Sequence, residues 1–467
     1  MNPRFKLHSE HKKILADTLT PVSVYLKIRD QFPHSLLLES SDYDARANNF
    51  SYICCNPIAS LKIIKGTIIY NFPDGNHQKA NLTEKDRVPQ LVQDFARQFE
   101  SKKYPFKFIT NGLFGYIAHE AVAHFDHLTL RTEKSNLDMP DIYYAIYQNI
   151  IAISLFNHEA YLFSHSYDGS NNLNQIEKIL KKDNTTAYQF KKEGDKTSNL
   201  TDKEFKAMVN KAKEHCFRGD VFQLVLSRRF SQGFTGDEFN VYRTLRSINP
   251  SPYLFFFDYG NFKIFGSSPE AQLIVEQGKA EIHPIAGTFK RTGNDEEDKA
   301  SAERLAADPK ENSEHVMLVD LARNDLSRNG SGVVVEKNRE IQFFSHVIHL
   351  VSKVTAHLKP IAKTFQMVAD TFPAGTLRGA PKHMALKLID RYENTARNAY
   401  GGALGYMDFD GNFNHCIIIR SFMSKNQKLH YQAGAGIVSK SVPENELQEV
   451  YNKLGALDKA LTLAEKL

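Results

Sequence analysis

Two pairs of glutamates stand three residues apart in segments patterned as helices: Glu311 and Glu314 in Lys310-Glu311-Asn312-Ser313-Glu314-His315, and Glu446 and Glu449 in Pro443-Glu444-Asn445-Glu446-Leu447-Gln448-Glu449. The spacing puts both carboxylates of a pair on one helix face. Two such faces brought together can hold one Mg²⁺, partly by direct bonds and partly through water, with positions left open for a substrate carboxylate. From spacing alone, solvated helix faces are the commoner explanation, because paired Glu on helices is frequent. Gly434-Ala435-Gly436 follows the strand-like run from Lys428 to Gln432 and can bring backbone N–H groups up to a carboxylate, although a plain turn has the same signature. Tyr400-Gly401-Gly402 and Pro373-Ala374-Gly375-Thr376 before Gly379-Ala380-Pro381-Lys382 are ambiguous in the same way. Arg420 closes the apolar run Cys416 to Ile419, where a charged side chain is paired or ligand-bound if buried.

These residues need elements to carry them. From 30 to 180, short β-rich runs such as Ser60 to Tyr70 and Tyr143 to Phe156 alternate with turn residues and predict antiparallel strands. Lys181 to Asp202 turns polar and charged and reads as a linker or surface excursion. A helix is expected over Asp202 to Phe217, capped by Thr201 or Asp202, followed by strands at Val221 to Phe230, Tyr253 to Phe257, Phe262 to Phe265 and Gln272 to Val275. Helical patterning dominates Asp298 to Leu326 and Glu444 to Leu467. Without a regular β-α-β alternation the fold class is α+β. Two regions are expected, 1–190 and 200–467.

Among 467 residues, 42% are hydrophobic and 24% charged, and the net charge is only +5. That is the balance of a globular protein without the basic stripe of a nucleic-acid binder. No stretch reaches the roughly 18 apolar residues of a membrane span, and the N-terminal residues lack an apolar leader segment, so a soluble cytoplasmic protein is expected. Cys54, Cys55, Cys216 and Cys416 have no metal-type spacing and read as reduced thiols.

Taken together, GDVFQLVLSRRF, SSPE, PIAGTFKRTG, DPKENSEHVMLVDLARNDLSR, HVIHLVSKV, FPAGTLRGAPK, YGGALGY, IIIRS, AGAGIV and ENELQEVYNK, in order from about Asp202 to Lys459, resemble the chorismate-utilising enzymes. This family includes the first components of anthranilate and aminodeoxychorismate synthases and the isochorismate and salicylate synthases. The resemblance implies a large antiparallel β-sandwich flanked by helices, with chorismate and Mg²⁺ in a deep cleft. It makes Glu314 and Glu449 direct metal ligands and Glu311 and Glu446 helpers through water. Tyr400, Arg420, Lys453 and the amides of Gly434, Ala435 and Gly436 would hold the substrate carboxylates, with Gly287 and Thr288 near the ring. Glu270 would be the general acid toward the departing hydroxyl, His315 would serve the elimination that follows, and Thr376 and Gln223 complete the catalytic set. Phe289-Lys290-Arg291 replaces a more common Arg-Pro-Arg, and Arg378 stands where a small hydroxyl residue is frequent. Both departures bear on specificity.

Within the family, hydroxylating members carry a Lys where this chain has Gln223, and a neutral amide cannot deprotonate water. Aminodeoxychorismate synthases carry a nucleophilic Lys where this chain has Ala286. The branch implied is Mg²⁺-dependent amination of chorismate by ammonia with loss of pyruvate, giving anthranilate. An aminodeoxychorismate synthase component that has lost its lysine, and a tryptophan-responsive binding protein without activity, remain as alternatives. The resemblance also implies a feedback site for tryptophan from Leu38, Glu39 and Ser40 facing Pro252, Tyr253 and Leu254, for which a strand end packed on a Pro-rich turn is the plainer account. None of the four cysteines lies in the Gly-x-Cys-x-Gly elbow of a glutamine amidotransferase, so a separate glutamine amidotransferase subunit is expected as partner.

Overall fold

The computed structural model describes the chain except residues 1–2, 41–48, 84, 127, 132–133, 135–136, 183–184, 344–346 and 360–362 and the side chain of Thr288. Its centre is a large, almost wholly antiparallel sheet; several of its strands, such as Gly112–Ile117 and Ile142–Ser154, are buried on both faces and so read as continuous apolar runs. The alternation is nevertheless physical. On Leu36–Ser40, Leu36 joins a layer built from strand residues, with Tyr52, Cys54, Phe255 and Phe257. Its neighbour Leu37 joins a second layer with Ile53, Phe256 and the helix residues Val24 and Ile28. One face therefore packs sheet on sheet and the other is covered by helices, the α+β sandwich expected.

The two sequence regions share this sheet. Leu36–Ser40 pairs with Tyr253–Asp258, placing Ser40 opposite Tyr253 and Glu39 opposite Leu254. Gly112–Ile117 pairs with Ala403–Asp408. The polar stretch expected to be a linker contains the strand Phe190–Ser198, antiparallel to Gln223–Gly236. Only Phe190 is buried in it, so its strand character left almost no apolar trace. The four cysteines are free thiols, and no helix among the described residues is long and apolar enough to cross a membrane.

Caps set the registers that matter. The helix Asp202–Arg218 begins on a reciprocal box between Thr201 and Glu204 and stops at Gly219 in the left-handed conformation. The helical stretch expected across 298–326 is broken at Asp308, which ends Asp295–Ala307 and starts Pro309–Ser327. The Asp308 carboxylate accepts the N–H groups of Lys310 and Glu311 at 2.8 and 3.0 Å, and Pro309 occupies the first turn, where its missing N–H is harmless. This restart fixes where Glu311, Glu314 and His315 point. The C-terminal helix Pro443–Ala464 likewise begins with proline and buries Val450, Leu454, Leu457 and Leu461.

Arg378 is a structural tie rather than a cleft residue. It is fully buried, donates to Asp325 Oδ2 at 2.7 Å on the helix Pro309–Ser327, and donates to the carbonyls of Pro373 and Gly379 at 2.9 and 3.2 Å. Burial pushes the Asp325 carboxyl up, and the Arg378 guanidinium opposes this. Arg378→Ala is expected to destabilise the protein by about 3–5 kcal/mol, because it strands a buried carboxylate. Adding Asp325→Asn should recover part of that loss. Urea unfolding of the single and double variants checks both statements.

Candidate active site

The helices Pro309–Ser327 and Pro443–Ala464 bring the two glutamate pairs into one electrostatic neighbourhood. The Glu311 carboxyl is held above its usual range by burial and then by Glu314, with Asp308 and Glu449 adding and Lys310 opposing. Glu446 is raised by burial, with Glu449 adding and Ser441, Lys310 and Lys453 opposing. One Glu446 oxygen is buried with no hydrogen-bond partner among the described residues. Lys453 Nζ lies 2.6 Å from Glu449 Oε1 and Gln223 Nε2 3.4 Å from Glu314 Oε1. Among the described residues, no group of three or more His, Cys, Asp or Glu closes on a point as a formed metal cage. An all-carboxylate set with an orphaned oxygen and mutual repulsion nevertheless fits a hard divalent cation.

Next to these carboxylates lies a cationic end. Arg420 has φ +50°, and its guanidinium has no hydrogen-bond or ion-pair partner among the described residues. Burial lowers its pKa, against the influence of Tyr400, Glu449 and Glu270. Lys453 also donates to the Gly434 carbonyl at 2.8 Å. Gly434 and Gly436 sit within the strand Lys428–Ile437, not in a turn after it. A Cβ at Gly436 would fall 2.6 Å from Gln223 Nε2, so the glycine lets that amide lie against the backbone. Gly287 has φ +69°, and a Cβ there would meet Leu305 Cδ1 at 2.5 Å and Glu311 Oε2 at 3.2 Å. Its carbonyl accepts from His349 Nδ1 at 2.8 Å. Thr288 follows, opposite His349 in register, with its side chain outside the described residues.

Glu270 lies within the influence of the cationic end. Thr376 Oγ1 donates to Glu270 Oε1 at 3.0 Å, and the Glu270 carbonyl accepts from the Ile417 N–H at 2.9 Å. Burial pushes its carboxyl up to about 7, against the lowering effects of Thr376, Lys453 and Arg420. His315 is fully buried, meets Ser352 Oγ through Nε2 at 2.6 Å, and is lowered to about 4 by burial and then by Arg339. Ser352, His349 and the buried pair Glu393–Arg397 were not singled out from sequence. They support the site from elements distant in sequence and have no diagnostic spacing.

Of the residues expected to bind an inhibitor, all but Leu254 reach one cavity. Leu38, Glu39, Ser40, Pro252 and Tyr253 border a cavity of about 1060 Å³. Leu254 belongs instead to the layer beneath, with Leu37. The Glu39 carboxylate is occupied: it accepts from Tyr242 Oη at 2.5 Å and from Arg246 Nε and Nη2, each at 2.8 Å. In the segment Phe289-Lys290-Arg291, Arg291 keeps the arginine of the more common pattern, and its Nε donates to Asp298 Oδ2 at 2.7 Å, anchoring the start of a helix.

Glu270 has a consequence for stability. Its folded-state pKa lies above the ordinary 4.5, so between about 4.5 and 7 the native state keeps a proton that the unfolded chain has lost. The stability this group contributes is complete below about pH 4.5 and is lost as pH rises through 7, with a slope of about 1.4 kcal/mol per pH unit inside the window. Glu270→Gln should remove that slope relative to the parent chain, as measured by urea unfolding at pH 5, 6, 7 and 8.

Residues 37–459 match the family of chorismate binding enzymes. Anthranilate synthase component 1 of Aquifex aeolicus (strain VF5) is 36% identical over 479 residues, covering 98% of this chain and 95% of its own. That of Lactococcus lactis subsp. lactis (strain IL1403) is 36% identical over 463 residues, covering 96% and 98%. The crystal structure of anthranilate synthase component I from Streptococcus pneumoniae TIGR4 superposes with a TM-score of 0.74 at 30% identity, over 95% of this chain and 98% of that one. The isochorismate synthase MenF from Escherichia coli shares the fold, at TM-score 0.75 and 18% identity over 98% and 95%. With the carboxylate pairs, the cationic end and the raised Glu270 carboxyl all inside the matched span, the chain belongs to the family of chorismate binding enzymes.

Proposed function

We propose that the chain is the chorismate-aminating subunit of an anthranilate synthase, making anthranilate for tryptophan synthesis. The observation that carries the reading is Glu270: a buried carboxyl raised to about 7 by burial, against the lowering influence of Lys453 and Arg420, and held by Thr376. At neutral pH it retains a proton to give. Arg420 and Lys453, with the amides of Gly434 to Gly436 and the Tyr400 hydroxyl, bind the substrate carboxylates. Ammonia adds to ring carbon 2, the ring double bonds shift, and the carbon-4 hydroxyl leaves as water with the Glu270 proton. His315 serves the following loss of pyruvate, which leaves the aromatic amine. Glu314 and Glu449 would hold Mg²⁺ directly, with Glu311 and Glu446 acting through water; when bound, the ion would offset part of the negative charge of a substrate carboxylate and of these glutamates.

Two side chains favour amination by this route. Gln223 is buried and can neither take nor give a full proton, so water stays unactivated while ammonia is already nucleophilic. Ala286 offers a methyl where a covalent route needs an amine. The relatives are named component 1, which supports a second subunit that hydrolyses glutamine. The purified chain with chorismate, Mg²⁺ and ammonium should form the ortho amine, seen as anthranilate fluorescence, and should not do so with glutamine. Absence of anthranilate under these conditions would overturn the reading.

Glu314→Gln should raise the Mg²⁺ concentration for half-maximal activity by roughly tenfold or more and abolish the rise in melting temperature that added Mg²⁺ gives the parent chain. Full activity at low Mg²⁺ would contradict the metal assignment.

The cavity beside Ser40 and Tyr253 is proposed to take tryptophan as a feedback inhibitor. With Glu39 paired to Arg246, the ligand ammonium is met by Ser40 and backbone carbonyls, or the pair opens. Tryptophan should raise the apparent chorismate requirement, and chorismate should weaken tryptophan binding equally. Ser40→Phe should abolish the response and leave uninhibited turnover near normal. Calorimetry showing independent binding would contradict this.

A further inference from the structure

Ser352 carries none of the roles assigned above, yet it is held from several directions. It is fully buried on the strand Val347–Leu358, and its N–H donates to the Pro284 carbonyl at 3.1 Å. Its Oγ accepts the Arg339 N–H at 2.9 Å and lies 2.6 Å from His315 Nε2. The Arg339 N–H reaches it because the neighbouring strand Gly330–Phe343 slips register between Lys337 and Glu340 and Arg339 takes φ +56°. Residues with side chains hold that left-handed conformation only where the surroundings maintain it. Bulges of this kind re-aim groups beside reaction sites.

A hydroxyl has one hydrogen. The Arg339 N–H occupies one lone pair of Oγ, so the hydrogen can go to His315 Nε2 at 2.6 Å or to Asn338 Oδ1 at 3.5 Å. The first is a full hydrogen bond and the second is at the limit of one. The shorter contact favours an O–H directed at Nε2 over Nε2–H donating to Oγ with the hydroxyl hydrogen on Asn338, and it would leave the imidazole proton on Nδ1. That nitrogen is buried and has no hydrogen-bond partner among the described residues, an arrangement that costs free energy until a ligand meets it.

We propose that Ser352 is a positioning residue that fixes His315 in the Nδ1–H tautomer, so that His315 meets the substrate as a hydrogen-bond donor and not as a proton acceptor. A fixed donor suits a substrate oxygen on which charge develops. The inference rests on the reading of His315 as a residue of the pyruvate elimination, but the tautomer can be tested apart from it. Nitrogen-15 spectra of protein labelled in its histidines, with His315 assigned by its loss in His315→Gln, report which ring nitrogen carries the proton. Expected is Nδ1–H in the parent chain and in Ser352→Thr, and a shift toward Nε2–H in Ser352→Ala. An Nε2–H tautomer in the parent chain, or no change in Ser352→Ala, overturns the proposal. With chorismate and ammonium, Ser352→Ala should release anthranilate roughly tenfold more slowly while the aminated intermediate accumulates, and Ser352→Thr should stay near the parent. Equal loss of chorismate consumption and anthranilate release would make Ser352 structural only and overturn it. A parent chain that does not aminate chorismate sinks the proposed function, while the spectra still decide the tautomer.

Discussion

The buried ion pair between Glu393 and Arg397 is the contact on which the catalytic half depends. Arg397 Nη2 donates to Glu393 Oε1 at 2.6 Å and to the Val225 carbonyl at 2.8 Å; Nε donates to Glu393 Oε2 at 2.9 Å and Nη1 to the Leu377 carbonyl at 2.6 Å. Glu393 also accepts the Ser227 N–H and Oγ–H at 2.9 and 2.7 Å. Taking both charges out of water is repaid only when nearly every donor and lone pair is used, as it is here. What the pair ties together is the site: the strand carrying Gln223, the short helix carrying Thr376, and the turn leading to Tyr400. The first half of the chain closes the same knot, because Glu120 accepts the N–H groups of Arg397 and Asn398 at 2.7 and 2.9 Å.

What was legible in the sequence was what is local. The i, i+3 glutamates, the Thr201 cap, the apolar strands after residue 220 and the absence of a nucleophile at Ala286 need only neighbouring residues to be read. What was not legible depends on partners far along the chain. Phe190–Ser198 looks like a linker because one strand partner and a solvated face leave it one buried residue. Glu39 looks like a free ligand for an ammonium because Tyr242 and Arg246, its partners, are some two hundred positions away. Arg378 looks like a change of specificity until Asp325 is found against it, and Ser352 is an ordinary strand serine until a bulge at Arg339 and His315 close on its hydroxyl.

Charge burial explains why these particular residues stand out physically. The site gathers carboxylates and cations in a low-dielectric interior without pairing all of them: among the described residues Arg420 has no ion-pair partner within bonding distance and one Glu446 oxygen is orphaned, and Glu270 is raised to about 7. Around the site, buried charges are matched at Arg378–Asp325 and Arg397–Glu393. Unmatched groups at one place and matched groups around it are what a site pre-organised for a charged ligand requires, since stability lost at the centre has to be supplied by the surrounding structure.

The same economy of connection bears on how the cavity beside Ser40 can communicate with the site. Its wall includes Leu404, Tyr406, Phe413 and Asn414, which belong to the hairpin of Ala403–Asp408 and Phe413–Ile417. The far end of that hairpin is fastened to the site: Ile417 N–H holds the Glu270 carbonyl, and Gly401 and Gly402 exchange hydrogen bonds with Ile418. Tyr400 precedes it and Arg420 follows it. A ligand that shifts the hairpin in the cavity would therefore act at once on Glu270, Tyr400 and Arg420, the groups proposed as the acid and as holders of the substrate carboxylates. Because a close-packed sheet yields by discrete displacement rather than by gradual deformation, the coupling needs no chain of intermediaries beyond these two strands. Linkage then requires the reverse effect as well: whatever fixes Tyr400, Arg420 and Glu270 must change how the cavity receives its ligand.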